Sequence, residues 1–158
     1  MLWIASWLSF QKTNTLTDSH TSQPVIDVLY ISQLFKCSLA YAYSLNPDKI
    51  FILSALHYLL DLEAEIEPYN VTLSNIPKSK IKKGLRVLNR EEKAIWGEKV
   101  VNLLSKHADL QNDLFIFLAG QEYIKPVKPS LTNTDDRLKG MGIGERIRFL
   151  KNQSGCNP

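Results

Sequence analysis

The strongest structural signal in this sequence is the apolar run Leu114–Leu118 (LFIFL), which is continuous, follows Asp113 and is closed by Ala119-Gly120. A short run of this kind is typical of a strand that is buried on both faces of a parallel sheet. Two similar runs come earlier in the chain, at residues 2–8 (LWIASWL) and 50–53 (IFIL). The sequence therefore predicts a sheet that contains these three strands.

Helical patterns alternate with the three runs. Apolar residues recur at helical spacing from Ser32 to Leu45, and turn residues follow them. Asn89 and Glu92 fit a helix N-cap and its N3 partner before a second helical segment, and Gly142 opens a third. This alternation predicts an α/β fold, with one domain over residues 1–158, a mainly parallel central sheet and helices on both faces.

The other segments are predicted to be irregular. Residues 11–24 are polar and form a loop that is long for a compact domain, and such loops are often functional or disordered. Residues 56–60 fit a short helix or a turn. Residues 126–136 are predicted to form a second loop, and residues 151–158 form a tail.

The composition is that of an ordinary globular protein, with 158 residues, of which 44% are hydrophobic and 22% are charged. These values exclude a disordered chain, a collagen-like repeat and a coiled coil. No apolar run approaches the roughly 18 residues of a membrane span, so no membrane contact is expected. The N-terminal run follows no positively charged segment and is interpreted as a strand rather than a signal peptide.

The two cysteines, Cys37 and Cys156, are too few for a disulfide framework. Cys37 lies in an apolar helical segment and is interpreted as a small buried residue. Cys156 lies in the tail and is expected to be a free thiol. The default compartment is then the reducing cytoplasm.

Charge is unevenly distributed along the chain. The net charge is only +3, but no acidic residue lies between Pro68 and Arg90. An acidic patch just precedes this segment. The stretch from Lys78 to Arg90 is here called the basic segment. Its basic residues are Lys78, Lys80, Lys82, Lys83, Arg86 and Arg90. Such a segment is either a solvated face or a contact surface for nucleic-acid phosphates.

The three predicted strands end in polar or small residues, at Ser6-Trp7, residues 54–57 and residues 120–123. In open α/β sheets ligands bind beyond the carboxyl ends of the strands, so these ends are expected to form one cleft. The phosphate-binding glycine motifs, the serine nucleophile elbow and metal-ligand spacings of histidine and cysteine are absent. Their absence disfavours dinucleotide enzymes, nucleoside triphosphatases and zinc hydrolases, and no cofactor is expected. Gly142 and Gly144 fit a tight helix start or, alternatively, a phosphate contact at a helix N-terminus.

Several short motifs follow one another in a recognisable order. They are Leu29-Tyr30-Ile31-Ser32-x-x-Phe35, Ile52-Leu53-Ser54-Ala55, Glu67-Pro68-Tyr69-Asn70-x-Thr72-Leu73, Trp96, Phe117-Leu118-Ala119-Gly120-x-x-Tyr123 and Gly142-Ile143-Gly144. In this order the chain resembles an uncharacterised bacterial and archaeal domain family related to the peroxide-stress protein YaaA and to the uracil-DNA-glycosylase-like fold. The resemblance extends from Leu2 to about Leu150.

The sequence departs from that family at three polar positions. Ala5-Ser6-Trp7 stands where the family has Cys and then Lys. Leu56-His57-Tyr58 stands where the family has Lys-Tyr-Gly, and Asn70 replaces the Asp of Pro-Tyr-Asp.

The resemblance implies that a flipped base binds at the strand ends and that its glycosidic bond is cut. Asn70 is then the candidate for positioning water, His57 for stabilising the leaving base, and Glu67 for stabilising the sugar cation. Alternatively, Asn70 is a turn residue, His57 is a hydrogen-bonded structural histidine, and Glu67 is solvated.

The resemblance also implies a set of substrate-binding positions around the cleft. The tyrosines are expected to stack on a base, and the alternative for Tyr30 and Tyr123 is a place at the edge of the core. The full set is Ser6, Tyr30, Ser32, Ser54, Tyr69, Gly120, Gln121 and Tyr123.

Three functional hypotheses follow. The first is a cytoplasmic DNA glycosylase that acts on a modified base, for example a hypermodified pyrimidine of phage DNA, in phage defence or DNA repair. The second is a non-catalytic protein of the YaaA type that binds DNA or RNA through the basic segment. The third is an enzyme that acts on free nucleosides or nucleotides in the same cleft.

Overall fold

The structure of the chain, a computed structural model, describes residues 2–6, 33–66 and 69–156, and of residues 2–6 it describes the backbone only. Two short 3₁₀ turns, Lys78–Lys80 and Lys128–Ser130, accompany the regular elements. The strands and helices are β1 (Leu2–Ser6), α1 (Gln33–Ser44), β2 (Lys49–Ser54), β3 (Tyr58–Asp61), β4 (Val71–Thr72), β5 (Arg86–Val87), α2 (Arg90–Leu104), β6 (Leu114–Leu118), α3 (Gln121–Ile124), β7 (Asn133–Asp136) and α4 (Ile143–Ser154).

The described strands form a five-stranded sheet in the order β3-β2-β1-β6-β7, and β4 pairs with β5 in a small second sheet. The three strands predicted from the apolar runs are neighbours, because Ile4 of β1 pairs with Phe51 of β2 and with Phe117 of β6. These pairings and that of β6 with β7 are parallel, whereas β3 is antiparallel to β2. The prediction of a mainly parallel central sheet is confirmed.

Helices cover both faces of the sheet, as the sequence predicts. Side chains alternate between the two faces of each strand. Phe51 and Phe117 pack with Trp96 of α2 on one face. Ile50 and Ile116 pack with residues of α1 and α4 on the other face. This two-sided burial explains why β2 and β6 are continuous apolar runs.

The start of α2 is fixed by the predicted capping box. The Asn89 side chain accepts a hydrogen bond from the Glu92 N–H (2.9 Å), and the Glu92 carboxylate accepts one from the Asn89 N–H (2.8 Å). These two bonds satisfy N–H groups that have no partner within the helix. The same arrangement acts on the Glu92 carboxyl group, since the Asn89 N–H and the neighbouring Arg86 guanidinium lower its pKa.

The prediction of a short helix or turn at residues 56–60 is confirmed as a turn up to residue 57 and is wrong from Tyr58 onward. Residues 55–57 form a three-residue turn, and Tyr58 then begins β3 opposite Ser54. Such turns commonly end in a residue with left-handed backbone, and Tyr58 has a φ of +67°. Glycine adopts that conformation without strain, whereas a bulky side chain rarely does. The ammonium of Lys99 donates to the Tyr58 hydroxyl (3.0 Å) and lies over the ring.

The prediction of a loop over residues 126–136 is also wrong at its end, where Asn133–Asp136 form β7. Its sequence, NTDD, contains no apolar residue and so carries no strand pattern. Among the described strands it lies at the edge of the sheet and pairs with β6 alone, so it does not need two apolar faces.

The expectation of a free thiol at Cys156 is wrong, because Cys156 forms a disulfide with Cys37. The Cα atoms of the two cysteines are 5.4 Å apart. Packing of α4 against α1 brings the end of the chain to Cys37, although 119 positions separate the two cysteines in sequence. Cys37 itself is buried, as predicted.

Gly97 lies where α2 approaches Pro126 most closely. A Cβ atom at Gly97 would lie 2.6 Å from the Pro126 carbonyl oxygen, which is backbone and cannot rotate away. We expect Gly97→Ala to lower the free energy of unfolding by about 1–3 kcal/mol, measured by urea denaturation. The control is Gly144→Ala in α4, where no atom lies within 4 Å of the new Cβ, and this variant should be at least as stable as wild type. A Gly97→Ala protein as stable as wild type would contradict the packing described here.

Candidate functional site

The strand order predicts a ligand crevice at the carboxyl ends of the central strands. From β1 the chain continues to β2 on one side and later returns to β6 on the other side. In open α/β sheets, ligands bind outside the strand ends at the point where the order reverses in this way. That point lies between the ends of β1 (Ser6) and β6 (Leu118), with Ser54 of β2 on one side and Asp136 of β7 on the other.

At the end of β2, Ser54 organises a cluster of three predicted site residues, which are Ser54 itself, His57 and Tyr69. Its buried hydroxyl lies 2.8 Å from the Tyr69 hydroxyl and accepts a hydrogen bond from the His57 N–H (3.0 Å). The Ser54 carbonyl accepts a hydrogen bond from the Trp96 indole (2.9 Å). Ser54 therefore fixes the positions of Tyr69 and of the turn that carries His57.

One nitrogen of the His57 imidazole is buried without a partner in the described structure. Its ring packs edge-on to Tyr69, with 5.4 Å between ring centroids. The Nε2 atom is buried and has no hydrogen-bond partner among residues 33–66 and 69–156. Because buried polar atoms in folded proteins are nearly always paired, an unpaired nitrogen here indicates a place for a ligand group or water.

Asn70 lies beside this cluster and at the base of the basic segment. It follows Tyr69 directly, its side chain is exposed, and its carbonyl accepts a hydrogen bond from the Arg86 N–H (2.8 Å). Pairing of β4 with β5 thus brings together the two ends of the intervening loop, residues 73–85. The structure brings Ser54, His57, Tyr69 and Asn70 into one neighbourhood.

The four lysines of the basic segment, Lys78, Lys80, Lys82 and Lys83, are exposed. Within the described part of the chain, none of them forms an ion pair with a carboxylate. Arg86 differs, because its guanidinium pairs with Glu92 at the start of α2. Arg90 is exposed and is the first residue of α2. The lysines are therefore free to contact an external anion.

A cleft of about 170 Å³ opens on the α2 side of the turn at residues 55–57. Its walls are mostly apolar and include Leu56, Ile95 and Trp96, and the Arg86–Glu92 pair forms its polar part. None of His57, Tyr69 or Asn70 lines it. The cleft adjoins the cluster at Ser54, since Trp96, which donates to the Ser54 carbonyl, lines it.

On the other side of the crevice, Gln121 donates a hydrogen bond to Asp136 Oδ2 (2.6 Å). The second carboxylate oxygen, Oδ1, is buried and has no partner in the described structure. The sequence motifs predict a role for Gln121 but not for Asp136. Asp136 becomes recognisable only once β7 is known to lie beside β6.

Tyr123 and Gly142 show the structural alternatives that the sequence left open. Tyr123 is buried in the core and packs edge-on to Trp96, with 5.7 Å between ring centroids, so its ring is covered. This burial raises the pKa of its hydroxyl to about 12, although contacts with Thr72 and Leu73 act in the opposite direction. Gly142 donates its N–H to the Glu145 carboxylate (2.7 Å), so an acidic side chain already occupies this helix start.

Several predicted positions lie outside the described residues. They are Trp7, the loop at residues 11–24, Tyr30, Ser32, Glu67 and Pro68. Of Ser6 only the backbone is described, and it ends β1 as predicted. Gly120 caps the start of α3, and a Cβ atom at this position would have no neighbour within 4 Å.

Two further features concern the described residues only. They contain no group of three or more His, Cys, Asp or Glu side chains arranged to hold a metal ion. None of their helices combines the length and the apolar character that crossing a membrane requires.

A family model described as a family of unknown function, DUF6884, matches residues 16–152. The chain belongs to this family. The match includes every candidate site residue except Ser6. Comparisons with curated proteins and with solved structures gave no match. The DUF6884 assignment agrees with the expected membership of an uncharacterised domain family and leaves its activity to be inferred from the site.

Proposed function

We propose that this DUF6884 protein is a DNA glycosylase that hydrolyses the N-glycosidic bond of a modified base and leaves an abasic site. The observation that carries the proposal is the buried, unpaired Nε2 atom of His57, held beside Tyr69 at the carboxyl end of β2. The resemblance of the sequence motifs to YaaA and to the uracil-DNA-glycosylase-like fold supports the same interpretation by analogy.

The reaction requires stabilisation of two developing charges. As the bond between C1′ and the base nitrogen breaks, the sugar becomes positive and the base becomes negative. A hydrogen bond from His57 Nε2 to the leaving base would stabilise the negative charge. Water then adds its oxygen to C1′, and its released proton neutralises the departing base.

Asn70 is the residue that we assign to positioning this water. Its side chain is exposed next to Tyr69, so its amide can contact a bound nucleotide. An amide is not a strong base and acts by orientation rather than by taking the proton. Glu67, three positions earlier, is assigned to stabilising the sugar cation.

The basic segment supports DNA as the partner. Its four exposed lysines have no described carboxylate partner. They lie on the loop at residues 73–85, which follows Asn70 and the short strand β4. Phosphate contacts from such lysines would provide affinity and position rather than sequence preference. A DNA substrate also agrees with the expected cytoplasmic location. The Cys37–Cys156 disulfide does not agree with it, because disulfides are rare in that compartment.

We expect the double variant Lys82→Ala/Lys83→Ala to weaken DNA binding by a similar factor on all sequences. The slope of log affinity against log salt should become shallower by about 1 for each phosphate that the variant no longer neutralises. Fluorescence anisotropy at several salt concentrations measures both effects. The control, Lys106→Ala/Lys128→Ala, removes the same charge from two exposed positions outside the basic segment and should leave the slope unchanged. An unchanged slope in the Lys82/Lys83 variant would assign these lysines to bulk solvent.

The experiment that tests the function is incubation of the protein with DNA carrying different modified bases, followed by detection of abasic sites. Abasic sites at one class of modified base are expected. Salt-sensitive DNA binding without abasic sites would favour the YaaA-type alternative, which the unpaired lysines also support. Absence of DNA binding at low salt, with hydrolysis of free nucleosides, would favour the third hypothesis.

A further inference from the structure

We infer that Gln121 and Asp136 form a recognition subsite for the exocyclic amino group of a nucleobase. The inference rests on the proposed function only in taking a nucleobase as the ligand of the crevice. It concerns which class of base is bound, and it is tested by binding rather than by hydrolysis.

The position of the pair connects it with the crevice. Gln121 begins α3 directly after β6, and Asp136 ends β7. Asp136 pairs in register with Phe117, next to the carboxyl end of β6. Three strand spacings of about 4.8 Å separate β7 from β2, so this pair and His57 flank the crevice from opposite sides.

The buried atom that the pair leaves without a partner is an acceptor. Gln121 uses one N–H of its Nε2 to donate to Asp136 Oδ2, and its Oε1 and second N–H remain for other partners. Asp136 Oδ1 is buried and unpaired in the part of the chain that the structure describes. An unpaired buried carboxylate oxygen is costly, and a ligand N–H or O–H donor would remove that cost.

A subsite whose buried unpaired atom is the Asp136 Oδ1 acceptor distinguishes between classes of base. Cytosine and adenine present an amino donor at the position where thymine presents the O4 acceptor, and carboxylates accept from the cytosine N4 amino group. A keto base would place its oxygen against Asp136 Oδ1 and be repelled. The subsite therefore selects amino-bearing bases, such as cytosine derivatives, over uracil and thymine derivatives.

The neighbouring acid provides a matched control. Asp135 pairs in register with Ile116, which packs on the α1 and α4 face, whereas Asp136 pairs with Phe117, which packs on the α2 face. Asp135 accepts a hydrogen bond from Arg137 (2.8 Å). The two adjacent carboxylates thus point to opposite faces, and only Asp136 belongs to the subsite.

The test is isothermal titration of the full chain with deoxycytidine monophosphate and deoxyuridine monophosphate. Wild-type protein should bind the cytidine nucleotide about 5- to 150-fold more tightly, which corresponds to about 1–3 kcal/mol. Asp136→Asn offers an amide N–H in place of the oxygen and should abolish or reverse this preference, whereas Asp135→Asn should preserve it.

Equal affinity of wild-type protein for the two nucleotides would overturn the inference, as would binding of neither. Retention of the cytidine preference in Asp136→Asn would also overturn it. The wild-type comparison alone decides the question if Asp136→Asn does not fold. Because no hydrolysis is measured, a cytidine preference without abasic-site formation would contradict the proposed function and leave the subsite in place.

Discussion

His57→Phe is expected to lower the rate of abasic-site formation by about 10²–10³-fold while leaving DNA affinity unchanged. Phenylalanine keeps a flat ring against Tyr69, so the edge-on contact at 5.4 Å can persist. What it removes is the Nε2 atom, the buried nitrogen without a described partner. In our proposal this nitrogen contacts the base only as negative charge develops, so its removal affects the transition state and not the bound DNA. Single-turnover kinetics separate the two effects.

A matched histidine exists elsewhere on the chain. His107 follows α2, is exposed, and its ring packs against Phe51 with 5.3 Å between ring centroids. It lies before β6 begins and therefore toward the amino ends of the strands, away from their carboxyl ends. His107→Phe should leave the rate unchanged. Equal rates for wild type and His57→Phe would remove His57 from the reaction.

Removal of the Cys37–Cys156 disulfide is expected to lower the free energy of unfolding more than Gly97→Ala does. The bond closes a loop of 119 positions, and loop-closure entropy for a loop of this length corresponds to about 4–5 kcal/mol. It joins α1 to the end of α4, two helices that share one face of the sheet. Urea unfolding with and without a reductant should show a lower midpoint in the reduced protein.

The control for this experiment is the double variant Cys37→Ala/Cys156→Ala. It should unfold at a low urea concentration whether or not reductant is present, because it has no bond to reduce. If native protein reacts with a thiol reagent at Cys156 without prior reduction, the disulfide is not formed in solution. In that case the reductant should leave the midpoint of wild type unchanged.

The elements that the sequence predicts well are those with a strong local cause. The apolar residues of β2 and β6 are buried on both faces, so their runs are unbroken. The start of α2 depends on Asn89 and Glu92, which lie three positions apart and contact each other directly. In both cases the sequence pattern and the physical interaction span the same few residues.

The elements that the sequence does not predict depend on distant contacts. β7 is polar because it is an edge strand among the described strands. Its pairing with β6 joins residues that are distant in sequence, so no local pattern shows it. The partner of Cys156 follows from the packing of α4 on α1. For the same reason Asp136 has no visible role until its neighbour in the sheet is known.

The predicted site shows the same division. Ser54, His57 and Tyr69 form one contacting cluster, and Asn70 lies beside it, as the motif order suggests. Tyr123 instead belongs to the core, because the helical turn after β6 directs it toward Trp96. A motif places a residue near the strand end, but packing determines whether its side chain is covered.

The most direct measurement is a single reaction in which wild-type protein is incubated with a duplex containing one modified cytosine, with free base and abasic DNA both quantified by mass spectrometry. Our proposal predicts equal molar amounts of the two products, with no change at unmodified positions. Bound DNA that yields neither product, across modified cytosines and modified uracils alike, would show that the crevice beside Ser54 and His57 does not cut glycosidic bonds.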